Sequence, residues 1–132
     1  MIKVVLDTNI LISSIFWSGA PHKIVELALQ QRIQNFSSVE ILGELQSVLA
    51  EDFDVPLARI RDILRDVLGY SQIVKAPPMK INALRDANDT HIVACALGAN
   101  ARYIVTGDKD LLVLGAYRGI KIVSAKNFLA VV

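Results

Sequence analysis

Ile2-Lys-Val-Val-Leu6 is a short apolar, β-branched run that stops on a carboxylate, Asp7, with Thr8 and Asn9 directly behind it. An apolar run of this length with almost no polar alternation reads as a strand buried on both faces. Such a strand belongs in the middle of a parallel sheet. A polar group at its carboxyl end opens onto the crevice where α/β folds gather ligands and reacting groups. Asp7 equally suits a helix cap, because apolar residues at helical spacing follow from Ile10 to Trp17. Taken from Asp7 alone, both readings stand.

The rest of the chain alternates strand and helix signals. Asn9 to Trp17 reads as a helix ending near Ser18-Gly19. Pro21 suits the first turn of a second, from His22 to Gln31, with Ile24, Val25, Ala28 and Leu29 inward. Ile33 to Phe36 is a second strand. Ser37-Ser-Val-Glu40 has capping-box spacing and opens a third helix through Leu49. Asp54-Val-Pro56 starts a fourth, with Leu57, Ile60, Ile63, Leu64, Val67 and Leu68 at helical spacing, and Gly69 stops it. Ser71 to Val74 is a third strand, and Ala76-Pro-Pro-Met79 is a connector too short to link separate domains. A fifth helix covers Asn88 to Ala99, and Tyr103 to Thr106 a fourth strand that ends at Gly107-Asp-Lys-Asp110. Leu111 to Leu114 is a short helical piece, Gly115 and Gly119 mark a loop, and Ile120 to Val123 is a fifth strand. Ser124 caps a last helix through Val131. The expected architecture is therefore α/β: three layers, α/β/α, around a five-stranded parallel sheet.

At 132 residues the expectation is one domain, residues 1–132, and 53% hydrophobic residues supply its core. Cys95 is the sole cysteine, so no intrachain disulfide forms; within Ile-Val-Ala-Cys-Ala-Leu it reads as a small core residue. The lone thiol fits a reducing cytoplasm. Asp7 interrupts the first apolar run, so a signal peptide is not expected, and no stretch is long enough for a membrane span. Fourteen basic and thirteen acidic residues nearly cancel, so bulk charge does not draw nucleic acid, and any such binding depends on local placement.

Four acids stand out by position. Asp7 ends the first strand and Asp108 lies just past the end of the fourth, which parallel strands put at one edge of the sheet. Asp89 opens the fifth helix, with Ile92, Val93 and Ala96 following on its side. Glu44 flanks the apolar stripe of the third helix, beside Ile41 and Val48, while Glu40 and Glu51 lie further toward solvent. Each has a plain structural reading as well: a helix-dipole acid, a turn former, a solvated rim residue. Together they are harder to dismiss. Two carboxylates about 4 Å apart repel by about 4 kcal/mol at an effective dielectric of roughly 20. A cluster is tolerated chiefly around a divalent cation, and oxygen-only donors favour Mg²⁺ or Mn²⁺ over zinc.

Four motifs carry a resemblance. Val-Leu-Asp-Thr-Asn-Ile-Leu-Ile at the start is similar to the opening of the PIN-domain nucleases, and Glu44-Leu-Gln-Ser-Val-Leu49 to their Glu-Leu-x-x-Val-Leu helix. Asp89-Thr-His-Ile-Val-Ala94 and Tyr103-Ile-Val-Thr-Gly-Asp-Lys-Asp-Leu-Leu112 resemble their last two motifs, in the same order over essentially the whole chain. The nearest likeness is to single-domain prokaryotic members that act as toxins in toxin–antitoxin pairs. The resemblance implies a five-stranded parallel sheet flanked by helices and a metal-dependent ribonuclease. Carried over by position, Asp7, Glu44, Asp89 and Asp108 are the metal-binding and catalytic acids. It also implies a homodimer and an antitoxin partner.

Around these acids, Asn9 either orients Asp7 or caps a helix, Thr106 bonds a carboxylate or a phosphate, and Asp110 binds metal or caps the short helix after it. Asp86 rivals Asp89 for the third acidic role; Asp89 is preferred because it heads a buried helix face. Lys23, Arg85 and Lys109 are candidate phosphate contacts, and Phe16 and Trp17 suit a core, an interface or a stacked base. The reading is an Mg²⁺- or Mn²⁺-dependent endoribonuclease cleaving single-stranded RNA by two-metal phosphodiester hydrolysis, in the cytoplasm and away from membranes. Two alternatives stand beside it. One is a PIN-like module that only binds RNA or protein. The other is a phosphatase of the haloacid-dehalogenase kind, against which Asn9 stands where a second Asp is needed.

Overall fold

The computed structural model describes residues 1–132. Strands β1 (Ile2–Leu6), β2 (Ile33–Ser37), β3 (Ser71–Ile73), β4 (Tyr103–Val105), β5 (Ala116–Tyr117) and β6 (Ile120–Val123) form one sheet in the order β3-β2-β1-β4-β6-β5. All neighbours are parallel except β5 and β6. The helices are α1 (Thr8–Phe16), α2 (Ala20–Leu29), α3 (Val39–Glu51), α4 (Leu57–Gly69), α5 (Ala87–Ala99), α6 (Lys109–Leu114) and α7 (Ala125–Val131). None is long and apolar enough to cross a membrane.

The first strand lies where its composition demands. Val4, Val5 and Leu6 are wholly buried between β2 and β4. Helix α5 packs against β1, β2, β4 and α3. Covered on most sides, it carries an apolar surface nearly all round: Ile92, Val93, Ala94, Cys95, Ala96 and Ala99 are buried. Burial pushes the Cys95 thiol up to about 12, so it is an inert core group. Because β1, β2 and β4 run parallel, Leu6, Ser37 and Val105 end at one edge of the sheet.

Several expectations from sequence are corrected. The sheet has six strands, not five. The segment read as a loop between Gly115 and Gly119 is a hairpin, with Ala116 and Tyr117 pairing antiparallel to β6. Arg118 and Gly119 turn it, with φ of 48° and 85°; two left-handed residues in a two-residue loop suit the right-handed twist of the strands. Ser38, not Ser37, caps α3, accepting from the Ile41 amide at 3.3 Å, because Ser37 still belongs to β2. The Ser37 hydroxyl is buried without a partner. Leu29, Leu57 and Leu68 face out. The buried stripes are narrower than the apolar patterns: Ile24 and Ala28 on α2, and Ile60, Ile63 and Val67 on α4.

Asn35 is a buried polar residue with a structural task. The β1–β2 register ends at Val5 and Phe36. The Leu6 amide donates instead to Asn35 Oδ1 at 3.1 Å, while Asn35 Nδ2 donates to Ser71 Oγ at 2.8 Å. One side chain thus ties the last residue of β1, next to Asp7, to β2 and β3. Asn35→Ala leaves the Leu6 amide without this acceptor and is expected to cost about 1–3 kcal/mol. Urea unfolding of the variant reads that loss directly; an unchanged midpoint would show that β1 does not need the bond.

Candidate active site

Asp7 is fixed by its neighbours at the carboxyl end of β1. Its own amide donates to Val105 O across the β1–β4 boundary at 3.0 Å. Its Oδ1 accepts from the Thr8 amide at 2.7 Å, the cap of α1. Its Oδ2 accepts from Thr106 Oγ at 2.6 Å and from Asn9 Nδ2 at 3.2 Å. Asp7 is therefore both the helix cap and the acid facing the crevice. Asn9 reaches further: its Oδ1 accepts from the Gly107 amide at 2.9 Å, so one amide side chain braces the ends of both β1 and β4.

Asp108 follows the same logic on the neighbouring strand. Its Oδ2 accepts from the Leu111 amide at 3.1 Å and caps α6, and its own amide donates to Thr106 Oγ at 2.9 Å. Thr106 is the hinge of the arrangement, donating to Asp7 and accepting from the Asp108 amide. Across the crevice, Glu44 is half-buried on α3 and its Oε2 accepts from Thr8 Oγ at 3.2 Å. Thr8 joins the site although sequence reasoning gave it no role; the signal was its place between Asp7 and Asn9.

Asp89 sits in the first turn of α5 and is buried. Asp86 is the cap of that helix, accepting from the Asn88 amide at 2.9 Å, and is exposed at the rim. Asp7, Glu44, Asp86, Asp89 and Asp108 all line one cleft of about 380 Å³. Asp110 does not line it, but its carboxylate can come within 4.8 Å of oxygens of Asp89 and Asp108. Lys23, Arg85 and Lys109 do not line it either. His22 is engaged elsewhere, with Glu26 at 3.0 Å.

No lysine or arginine lines the cleft, and none of its acids forms a salt bridge. Three of them, Asp7, Glu44 and Asp89, are raised above the ordinary carboxylate value, with burial the first cause in each. Burial raises Asp7, against the pull of its hydrogen bonds from Thr106 and Thr8. Burial and then the charge on Asp7 raise Glu44. Asp89 is pushed up to about 7 by burial first, then by Asp108, Asp86 and Asp7. The donor set fits a hard divalent cation: it is oxygen-only, carboxylate-rich and otherwise uncompensated.

A family profile described as PIN domain matches residues 3–110. The chain belongs to the PIN-domain family. PIN domains are generally nucleases that use divalent metal ions. This PIN domain is 34% identical over 117 residues to an uncharacterised protein of Methanocaldococcus jannaschii, covering 86% of the chain and 75% of that protein. Its fold is similar to that of VapBC2 from Rickettsia felis, crystallised on a fragment of promoter DNA: TM-score 0.65, 18% identity, 92% of this chain and 97% of that one. It is also similar to PAE2754 from Pyrobaculum aerophilum: TM-score 0.63, 18% identity, 98% and 88%.

The raised carboxyls give the metal-free PIN domain a signed pH dependence. With a folded pKa of about 7 against an ordinary 3.8, Asp89 binds more protons folded than unfolded between these values. Its contribution is complete below the lower value and is lost as pH rises through the higher one. In chelator, the thermal midpoint should fall from about pH 4 to about pH 8, and Asp89→Asn should flatten that fall. Melting curves across this range test it; a midpoint that climbs with pH in both proteins would contradict a raised Asp89.

Proposed function

We propose that this chain is an Mg²⁺- or Mn²⁺-dependent endoribonuclease that cleaves single-stranded RNA, with Asp7, Glu44, Asp89 and Asp108 as its metal-holding catalytic acids. The observation that carries the reading is that these four line one cleft in which no lysine or arginine balances them. When bound, the divalent ion activates water and stabilises charge on the phosphoryl group. The chain's own residues do the positioning. Thr106 and Asn9 hold Asp7 where its carboxylate lines the cleft, and the α6 cap fixes Asp108 through Oδ2. Thr8 orients Glu44 from the opposite wall. Asp110 stands behind Asp89 and Asp108 as a supporting acid.

Asn9 favours this reading over a phosphatase with Asp7 as nucleophile. The position such an enzyme gives to a second acid is here an amide, tied to Asp7 and to the Gly107 backbone. Asp89 is preferred to Asp86 because it is buried beside Asp108, whereas Asp86 is engaged as a helix cap. The biological setting we infer is that of a toxin paired with an antitoxin, acting in the cytoplasm as a homodimer of single-domain chains. The likeness in fold to VapBC2 supports it.

Single-turnover cleavage of a single-stranded RNA, paired with binding of the same RNA, tests the assignment. Asp108→Asn keeps a helix-capping side chain, so the fold should survive. The rate is expected to drop roughly a hundred-fold or more, equivalent to about 3 kcal/mol of barrier, with binding little changed. Glu40→Gln, on the exposed face of α3, should cleave normally. Full cleavage by folded Asp108→Asn, or cleavage that persists in chelator, would overturn the proposal.

A further inference from the structure

The carboxylate cleft has an aromatic wall. Trp17, the C-cap of α1, is 57% exposed, and Phe53, in the turn after α3, is 38% exposed; both line the same cleft as the acids. They are held in place. Phe16 stacks on Phe53 at 4.8 Å with the rings 8° apart, and Trp17 meets each edge-on, at 5.8 and 6.2 Å. The turn that presents Phe53 is closed by a hydrogen bond from the Val55 amide to Leu49 O at 2.9 Å, with Asp54 in the left-handed region at φ 51°. Single exposed apolar residues need no explanation, but a braced cluster beside a charged cleft does.

The charge of the cleft narrows what this wall is for. Nucleic-acid affinity ordinarily comes from basic residues on phosphates. Here five acids and no lysine or arginine line the space. Before any cation binds, the lining repels a phosphate. With no basic residue in the lining, base–aromatic stacking is a source of affinity that does not depend on charge and that every base can make. A base held within a duplex has both faces covered by its neighbours, so only an unpaired, splayed base can lie on a protein ring.

We propose that Trp17 and Phe53 form a stacking site for one unpaired base of the strand whose phosphate lies at the carboxylates, so that the cleft accepts single strands and rejects duplexes. The inference rests on the nuclease reading above and gives it a physical basis for strand selection. Phe16 acts behind the site, as the ring that keeps Phe53 in position.

Trp17 is the only tryptophan in the chain, so its fluorescence reports on this site alone. The titration uses the full chain with Mg²⁺ and a short, cleavage-resistant phosphorothioate RNA strand. Three probes are compared: the single strand, the same sequence as a duplex, and an abasic strand of equal length. Quenching by the single strand only is expected. Trp17→Ala should weaken binding of the labelled strand about 5- to 150-fold, and Trp17→Phe should restore most of it. Equal quenching by the duplex or the abasic strand overturns the proposal, and so does full strand affinity in folded Trp17→Ala. If Trp17→Ala leaves strand binding intact and alters self-association, the wall is a protein interface instead. The quenching measurement needs no variant to fold and no cleavage to occur. Strand-selective quenching without cleavage would therefore fault the nuclease reading alone, and cleavage without quenching would fault the stacking site alone.

Discussion

Everything at the functional edge depends on holding like charges together. The means is a buried central strand. Because β1 is flanked by β2 and β4 and is apolar and wholly buried from Val4 to Leu6, Asp7 is held at the sheet edge, and its backbone is tied to Val105. Thr106 then couples Asp7 to Asp108 through a single hydroxyl, and Asn9 closes the brace between the two strand ends. Neutral donors are what make the arrangement possible. They stabilise the carboxylates locally without cancelling the negative field. A lysine in the same place would pair with Asp7 and fill the cleft.

Asp7, Glu44 and Asp89 are held above the ordinary carboxylate value. Burial is the first cause in each case, and neighbouring acids add to it. Perturbed carboxyls gathered in a cleft are the usual mark of a functional site. The cleft divides its labour between two walls, with charge on the strand and helix ends and apolar surface at Trp17 and Phe53. On the proposed reading, affinity and chemistry come from different residues, and substitutions on the two walls should separate in kinetics.

Much of this was legible in the sequence. The apolar runs of β1 and β4 were readable because strands buried on both faces need no alternation, and parallel pairing then put Asp7 and Asp108 at one edge. Glu44 and Asp89 followed from helix periodicity. What escaped notice has physical reasons. β5 is two residues long, too short for any pattern, and exists through the left-handed turn at Arg118 and Gly119. Two adjacent serines look alike, and only the length of β2 decides that Ser38 is the cap. Leu29, Leu57 and Leu68 match an inward pattern, yet the packed stripe is narrower than the apolar one. Asn35 and Phe53 work through tertiary contacts with Leu6, Ser71 and Phe16, which no local spacing encodes.

The central claim is that the carboxylate cleft is a divalent-cation site. Anomalous diffraction at the manganese edge, on crystals grown with Mn²⁺, tests it most directly. A peak should appear among the carboxylates of Asp7, Glu44, Asp89 and Asp108 and vanish in crystals of Asp7→Asn. A cleft without a peak at saturating Mn²⁺, or one filled by a lysine or arginine of the chain, would contradict it.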